Sequence, residues 1–228
     1  MKVQRATTDH LPEKVSFPAD GNLLFLEDGF QAAGGVVQSS LAVPENVHVV
    51  YVLNLMPSSS LHRTLSLSLQ QGASVELLGI IAGSSGAPIH LVLKEKHVGK
   101  GSMSSVRLRT LLQAGARLDV KGTLAIEKQA SSSDAFLESR ALLLGNGARA
   151  SMTPSLEIEA QDVKAAHAAA AGPIDPEQLF YLGSRGVDPA AAQQLIVRGF
   201  VEDLLSKVPQ REAQLDLRER WQNHLARL

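Results

Sequence analysis

Few side chains in this chain could do chemistry, and one stretch holds the best of them. His167 is a lone imidazole in the alanine-rich run Lys164-Ala165-Ala166-His167-Ala168-Ala169-Ala170. An imidazole nitrogen can ligate iron or another transition metal. Glu157 and Glu159 stand upstream at i and i+2 of a strand-like segment, so they share one face and could add carboxylate oxygens. Against this, one imidazole does not define a metal site, and a histidine in a small-residue loop can serve only to order a junction. Two glutamates on one strand face are also what a solvated face carries. His97 falls in Lys94-Glu95-Lys96-His97-Val98-Gly99-Lys100, which reads as a charged turn. The turn Gly83-Ser84-Ser85-Gly86 lacks the lysine and following helix of a phosphate-binding loop. No Ser/His/Asp set appears in the context a hydrolase needs.

Composition removes whole classes of chemistry. There is no cysteine, which excludes disulfide frameworks, thiolate metal sites, cysteine nucleophiles and all-cysteine iron–sulfur ligation. Lys plus Arg is 22 against Asp plus Glu 23, a formal net charge of −1. No basic stripe forms, which argues against nucleic acid as the main partner. The N-terminal Met1-Lys2-Val3-Gln4-Arg5 is not followed by the apolar run of a signal peptide. No stretch approaches the apolar length of a transmembrane helix, so a soluble cytoplasmic protein without membrane contact is expected.

The elements that must position these residues are mostly strands. Leu65, Leu67 and Leu69 alternate with polar residues; so do Val106 and Leu108, Leu118 and Val120, and Leu156 and Ile158. Each segment has one apolar and one polar face at period two. Val47 to Met56 is almost continuously apolar and reads as a strand buried on both faces. Aromatics are only 4%, so the core is built from aliphatic side chains. A weak repeat overlies the strands: Leu69-Gln70-Gln71-Gly72-Ala73-Ser74-Val75 matches Leu112-Gln113-Ala114-Gly115-Ala116-Arg117-Leu118. Leu144-Gly145-Asn146-Gly147-Ala148-Arg149-Ala150 is a looser third copy, and the three glycines are unevenly spaced. A β-sandwich and a parallel β-helix both produce short alternating strands with tight turns. The recurring Gly-Ala corner and the small interior side chains favour the β-helix, and from pattern alone both folds stay open.

The last quarter is helical. Asp175 and Asp188 are N-caps followed by Pro176 and Pro189 at N1, Gln178 stands at N3 of the first helix, and Gly186 suits its C′ position. Leu195, Ile196, Phe200 and Leu204 mark a stripe on the second helix, and Pro209 stops it. Ala213, Leu217, Trp221, Leu225 and Leu228 mark a third. Phe180, Tyr181, Arg185 and Phe200 are candidates for partner contact, because aromatics and arginine dominate interface hot spots. Phe180 and Phe200 could equally close a small helical core.

Residues 122–205 resemble one family along an ordered series of short motifs. These are Gly122-Thr123-Leu124-Ala125-Ile126, Ser133-Asp134-Ala135, Ser139-Arg140-Ala141-Leu142-Leu143-Leu144 and Pro154-Ser155-Leu156-Glu157-Ile158-Glu159-Ala160. Asp162-Val163-Lys164, His167, Gly172, Glu177-Gln178-Leu179-Phe180-Tyr181-Leu182 and Ser184-Arg185-Gly186 follow. The series is similar to the C-terminal region of the SufB/SufD family of the Suf iron–sulfur cluster assembly system. Residues 60–121 fit more loosely, and residues 1–59 show no clear match.

The resemblance implies a mainly β fold: a right-handed parallel β-helix, here over residues 41–172, then a small helical domain over 173–228, after a poorly defined segment over 1–40. It implies a scaffold beside SufC, an ABC-type ATPase that docks on the helical region, and pairing with a SufB-like chain or a second copy through the β-helix. Nucleotide chemistry would belong to the ATPase, so no enzyme activity is expected of this chain. Iron or an Fe–S cluster would be held at most transiently, with His167 as ligand and Glu157 and Glu159 as weaker candidates.

The departures matter. SufB-type chains carry a cysteine in the segment matching Gly145 to Ala150, and a carboxylate where Ala168 stands here. SufD-type chains commonly read Cys-Ser-His-Gly-Ala-Thr where this chain has Ala165-Ala166-His167-Ala168-Ala169-Ala170. The chain is therefore closer to SufD, with its N-terminal region reduced. A stand-alone homodimeric iron or Fe–S carrier using His167 is the second reading. A carbohydrate-active β-helix enzyme is the third, and it would need acidic pairs in an aromatic-lined groove that this composition hardly allows.

Overall fold

The computed structural model describes residues 1–18, 21–30 and 32–226. The chain winds as a parallel β-helix that alternates between two sheets. The seven-stranded sheet holds β1 (Lys2–Thr7), β3 (Asn22–Phe30), β5 (His48–Met56), β7 (Ser74–Gly83), β9 (Met103–Leu112), β11 (Asp134–Leu143) and β13 (Lys164–Gly172). The six-stranded sheet holds β2 (Lys14–Ser16), β4 (Gly35–Val43), β6 (Leu61–Leu69), β8 (Ile89–His97), β10 (Arg117–Ile126) and β12 (Arg149–Ile158). Neighbours in each sheet pair parallel and in register, as in Tyr51↔Leu77 and Leu65↔Leu93. The segment without a readable pattern carries strands too: β1 pairs with β3 and β2 with β4. Three helices follow: α1 (Pro176–Ser184), α2 (Pro189–Leu205) and α3 (Arg211–Leu225).

The helices decide why some strands alternate and others do not. The inward faces of both sheets form one aliphatic core, which includes Leu53, Leu65, Leu77, Leu91 and Leu108. The outward face of the seven-stranded sheet is covered by α2 and α3: Leu24, Val50, Val52, Leu78 and Ile80 pack against Val197, Val201, Leu204, Leu217 and Trp221. A strand such as β5 is therefore apolar throughout, because it meets the interior on one side and helices on the other. The six-stranded sheet is bare outside, and β6 and β8 keep strict alternation. Trp221 is buried, and its indole N–H donates to Asn54 Oδ1 at 3.0 Å, which satisfies both polar groups beneath the cover.

From β4 onward, each corner leading from the bare sheet to the covered one has a residue in the left-handed region: Asn46 (φ 58°), Gly72 (62°), Gly101 (65°), Ser132 (60°) and Asp162 (57°). Their amides stack as a hydrogen-bonded ladder, Asn46 N–H to the Gln71 carbonyl at 2.9 Å and Gly72 N–H to Lys100 at 3.0 Å. Gly86, Gly115 and Gly147 hold the same left-handed conformation at the opposite corner, with φ between 72° and 82°. The Gly-Ala repeat is thus one turn type used at both corners. Its Leu69–Val75 copy lies at the bare-to-covered corner, and its other two copies lie opposite, so the glycines cannot keep a single period.

The helix starts follow the sequence. Asp175 Oδ1 accepts from the Glu177 amide at 2.9 Å, and Asp188 Oδ1 from the Ala190 amide at 2.9 Å. Gly186 has φ 83°, as a C′ residue requires. The apolar stripe of α2 is turned from its expected position. Val197, Val201, Leu204 and Leu205 are buried, Phe200 and Ile196 lie on the margin, and Leu195 is exposed. The reason is tertiary packing: α2 lies against α3, β7 and β9, and the side it turns to them carries Val197, Val201, Leu204 and Leu205. On α3, Ala213, Leu217, Trp221 and Leu225 are buried as expected, and Leu228 lies outside the described residues.

Candidate functional site

The alanine-rich segment around His167 is strand β13, not a loop. Parallel pairing with β11 gives its backbone a ladder on one side, and this overrides the weak β-propensity of alanine. Register then fixes where the imidazole belongs. His167 continues the column Phe25, Tyr51, Leu77, Val106 and Leu137, which faces the interior in every earlier coil. In the last coil that column opens to solvent, and His167 is exposed. Ala165, Ala169 and Ala171 share its parity.

Opposite β13, the inward positions of β12 include Leu156 and Ile158, stacked on the buried Leu124 and Ile126. They are 37% and 44% exposed, because no further coil covers them. Among the described residues β12 and β13 end their sheets, so each presents an unpaired backbone edge beside apolar side chains. Glu157 lies on the outward face of β12, and Glu159 follows the strand's end. Glu159 adds to the field of Glu127, whose hydrogen bond to Lys96 chiefly raises that lysine's pKa. Neither glutamate joins His167. Among the described residues no three His, Cys, Asp or Glu side chains converge as a metal site, so His167 offers a single ligand from this chain.

Shortly after β13 in the chain, α1 buries none of its residues. Phe180 is 79% exposed and Tyr181 57%. The Arg185 guanidinium lies 5.3 Å from the centre of the Tyr181 ring, so the two present one cation–π surface. Leu179 and Leu182 are the half-buried side of the helix. Phe200 is different: its ring packs on Arg109 at 5.6 Å. Arg109 in turn bridges Asp203 of α2 at 2.7 Å and Glu138 of β11 at 2.8 Å, fastening the helices to the sheet.

Sequence reasoning missed the polar groups inside the coil. Arg63 and Glu27 are both fully buried, joined by two hydrogen bonds of 2.7 and 2.8 Å, with Tyr51 donating to the same carboxylate. Burial and the Glu27 charge push the Tyr51 hydroxyl well above its ordinary range, which keeps it a donor. His97 is not in a turn. It ends β8 facing inward, its ring nitrogens 2.8 Å from Ser102 Oγ and 2.9 Å from Ser104 Oγ. Glu95 is buried beside it with neither oxygen in a well-formed hydrogen bond. The signal was present: Ile89, Leu91, Leu93, Glu95 and His97 alternate with no break, and the flanking lysines disguise it.

The chain matches the family model for the SUF system FeS cluster assembly SufBD core domain over residues 36–200. It is 37% identical over 145 residues to an iron–sulfur cluster assembly SufBD family protein of Mycobacterium tuberculosis, covering 60% of this chain and 36% of that one. Against the iron–sulfur cluster assembly protein SufD of Bacillus subtilis it is 37% identical over 113 residues, or 50% and 26% of the two chains. Against SufD of Escherichia coli it is 38% identical over 106 residues, or 46% and 25%. The chain thus spans well under half the length of these relatives. No helix among the described residues is long and apolar enough to cross a membrane. A parallel β-helix closing on an open alanine-lined coil, followed by capped helices, and a family model matching most of its length together show that this chain belongs to the SufBD core family of the SUF iron–sulfur cluster assembly system.

Proposed function

We propose that this chain is a non-catalytic scaffold subunit of a Suf-type assembly complex. It pairs through the open end of its β-helix with a SufB-like chain or a second copy, and it docks a SufC-like ABC ATPase on α1. The observation that carries this reading is a pair of unpartnered surfaces that follow one another along the chain. One is the end coil with free strand edges and the exposed Leu156 and Ile158; the other is a helix with Phe180, Tyr181 and Arg185 in solvent. Free edges suit strand addition by another chain, and an aromatic–arginine surface suits a hot spot. The similarity to proteins named SufD supports the assignment. Iron or a cluster is cargo in this reading, with His167 giving one ligand at the join and the partner giving the rest.

Co-expression with a SufC-like ATPase and a SufB-like chain tests it. The double variant Tyr181→Ala, Arg185→Ala should retain less ATPase on pull-down, by at least about tenfold, while pairing through the β-helix persists. Full retention of the ATPase by that variant would refute the docking surface. His167 supports a second reading, because a second copy joined at the open end contributes a second imidazole to the same join. A coloured, His167-dependent product from anaerobic reconstitution of this chain alone would favour that carrier, and a colourless one the scaffold.

A further inference from the structure

The outward face of the bare sheet carries a column that the assembly reading does not use. His62 of β6 and His90 of β8 are register partners on adjacent coils. Their rings stack with centroids 4.3 Å apart and planes at 14°. Asp119 of β10 is the next position in the column. Its Oδ2 lies 3.7 Å from His90 Nδ1, with the two side chains 42% and 34% exposed. His62 is exposed, and the helices lie on the other sheet.

We propose that His62 and His90, with Asp119 in support, form a surface site for a divalent late transition ion such as Zn²⁺, Ni²⁺ or Cu²⁺. Imidazole nitrogen is a preferred ligand for these ions. Asp119 beside Nδ1 favours the tautomer with hydrogen there, leaving His90 Nε2 free as a ligand; carboxylate support of this kind is common behind metal-bound histidines. Coils stack about 4.8 Å apart, and metal–imidazole bonds are about 2.0–2.1 Å. Two histidines on adjacent coils can therefore share one ion by turning out of their stack. The backbone is fixed by ladders on both sides, so binding costs side-chain rotation and no refolding. No third ligand converges among the described residues, so water completes the coordination and the site is open and exchangeable. Mg²⁺, which prefers oxygen ligands, is not expected to bind.

Titration of the metal-free chain with NiCl₂ and ZnCl₂ by calorimetry, and with CuCl₂ by electron paramagnetic resonance, tests the site. The expected result is one ion per chain with a two-nitrogen copper signature. His62→Ala and His90→Ala should each weaken binding by at least about tenfold and remove that signature, and Asp119→Asn by about tenfold. His10→Ala, an exposed histidine outside the column, should change nothing. These side chains are on the surface, and circular dichroism checks that each variant folds. Parent-like binding by His62→Ala or His90→Ala, no binding by the parent, or loss in His10→Ala alone would overturn the proposal.

Discussion

At the scale of single residues, the groups with the largest consequences for solution behaviour are Glu95 and His97, inside the coil. Burial raises the Glu95 pKa to about 7 and lowers that of His97 to about 4. In the unfolded chain these groups titrate near their ordinary values of 4.5 and 6.5. Glu95 therefore keeps its proton longer when folded, so its contribution falls as pH rises from about 4.5 to 7. His97 resists protonation when folded, so its contribution falls as pH drops from about 6.5 to 4. The two slopes oppose each other where their ranges overlap. Glu95→Gln should remove one of them. Relative to the parent, its stability should rise with pH between about 4.5 and 7, by about 1–3 kcal/mol in all, measured by urea unfolding across that range. An unchanged difference at every pH would mean that Glu95 is not the buried acid described. His97 shows why such groups escape a sequence reading. Lysines on the outward positions look like a charged turn until register shows which parity faces in.

At the scale of elements, two devices hold the structure. One is the corner ladder, which uses Gly, Asn, Ser or Asp in the left-handed region. A residue with a Cβ is strained there by roughly 1–2 kcal/mol. Ser132→Gly should stabilise by about 0.5–1 kcal/mol, once the added chain entropy of glycine is set against relief of that strain. Gly115→Ala should cost about 1–2 kcal/mol, since its φ is 72° and its new methyl would also meet Ser85. Denaturant midpoints of the pair should move in opposite directions. The other device is the helical cover. Trp221→Ala should lose about 3–5 kcal/mol, because it opens a cavity between α3 and the sheet and leaves Asn54 without its donor. A loss under about 1 kcal/mol in equilibrium unfolding would mean that the cover contributes little to the fold.

At the scale of the whole molecule, the coil is unequal at its ends and faces. One sheet is sealed by α2 and α3, the other is bare, and the last coil is open with apolar side chains beside free strand edges. Pairing through that end should therefore fail when a charge is placed in it. Ile158→Lys should abolish association with a SufB-like chain or a second copy, read by size-exclusion chromatography with light scattering. Because Ile158 is already 44% exposed in the single chain, thermal stability of the monomer should change little. A complex of unchanged size would place the pairing surface elsewhere.

Much of this was legible in the residues. The switch between continuous and alternating apolar patterns, the Asp-Pro helix starts, the Gly-Ala corners and the family motifs all follow from local rules. Backbone preference and side-chain polarity act within a few residues, and these features need nothing more. Which turns share a corner, which face of α2 is buried, that His167 continues an interior column, and that His62, His90 and Asp119 stand in line were decided only by tertiary structure. All but the α2 face depend on register between coils, some 26 residues apart at β3–β5 and 32 at β10–β12. Unequal loops shift that register without leaving a local mark, because the same turn chemistry serves every corner.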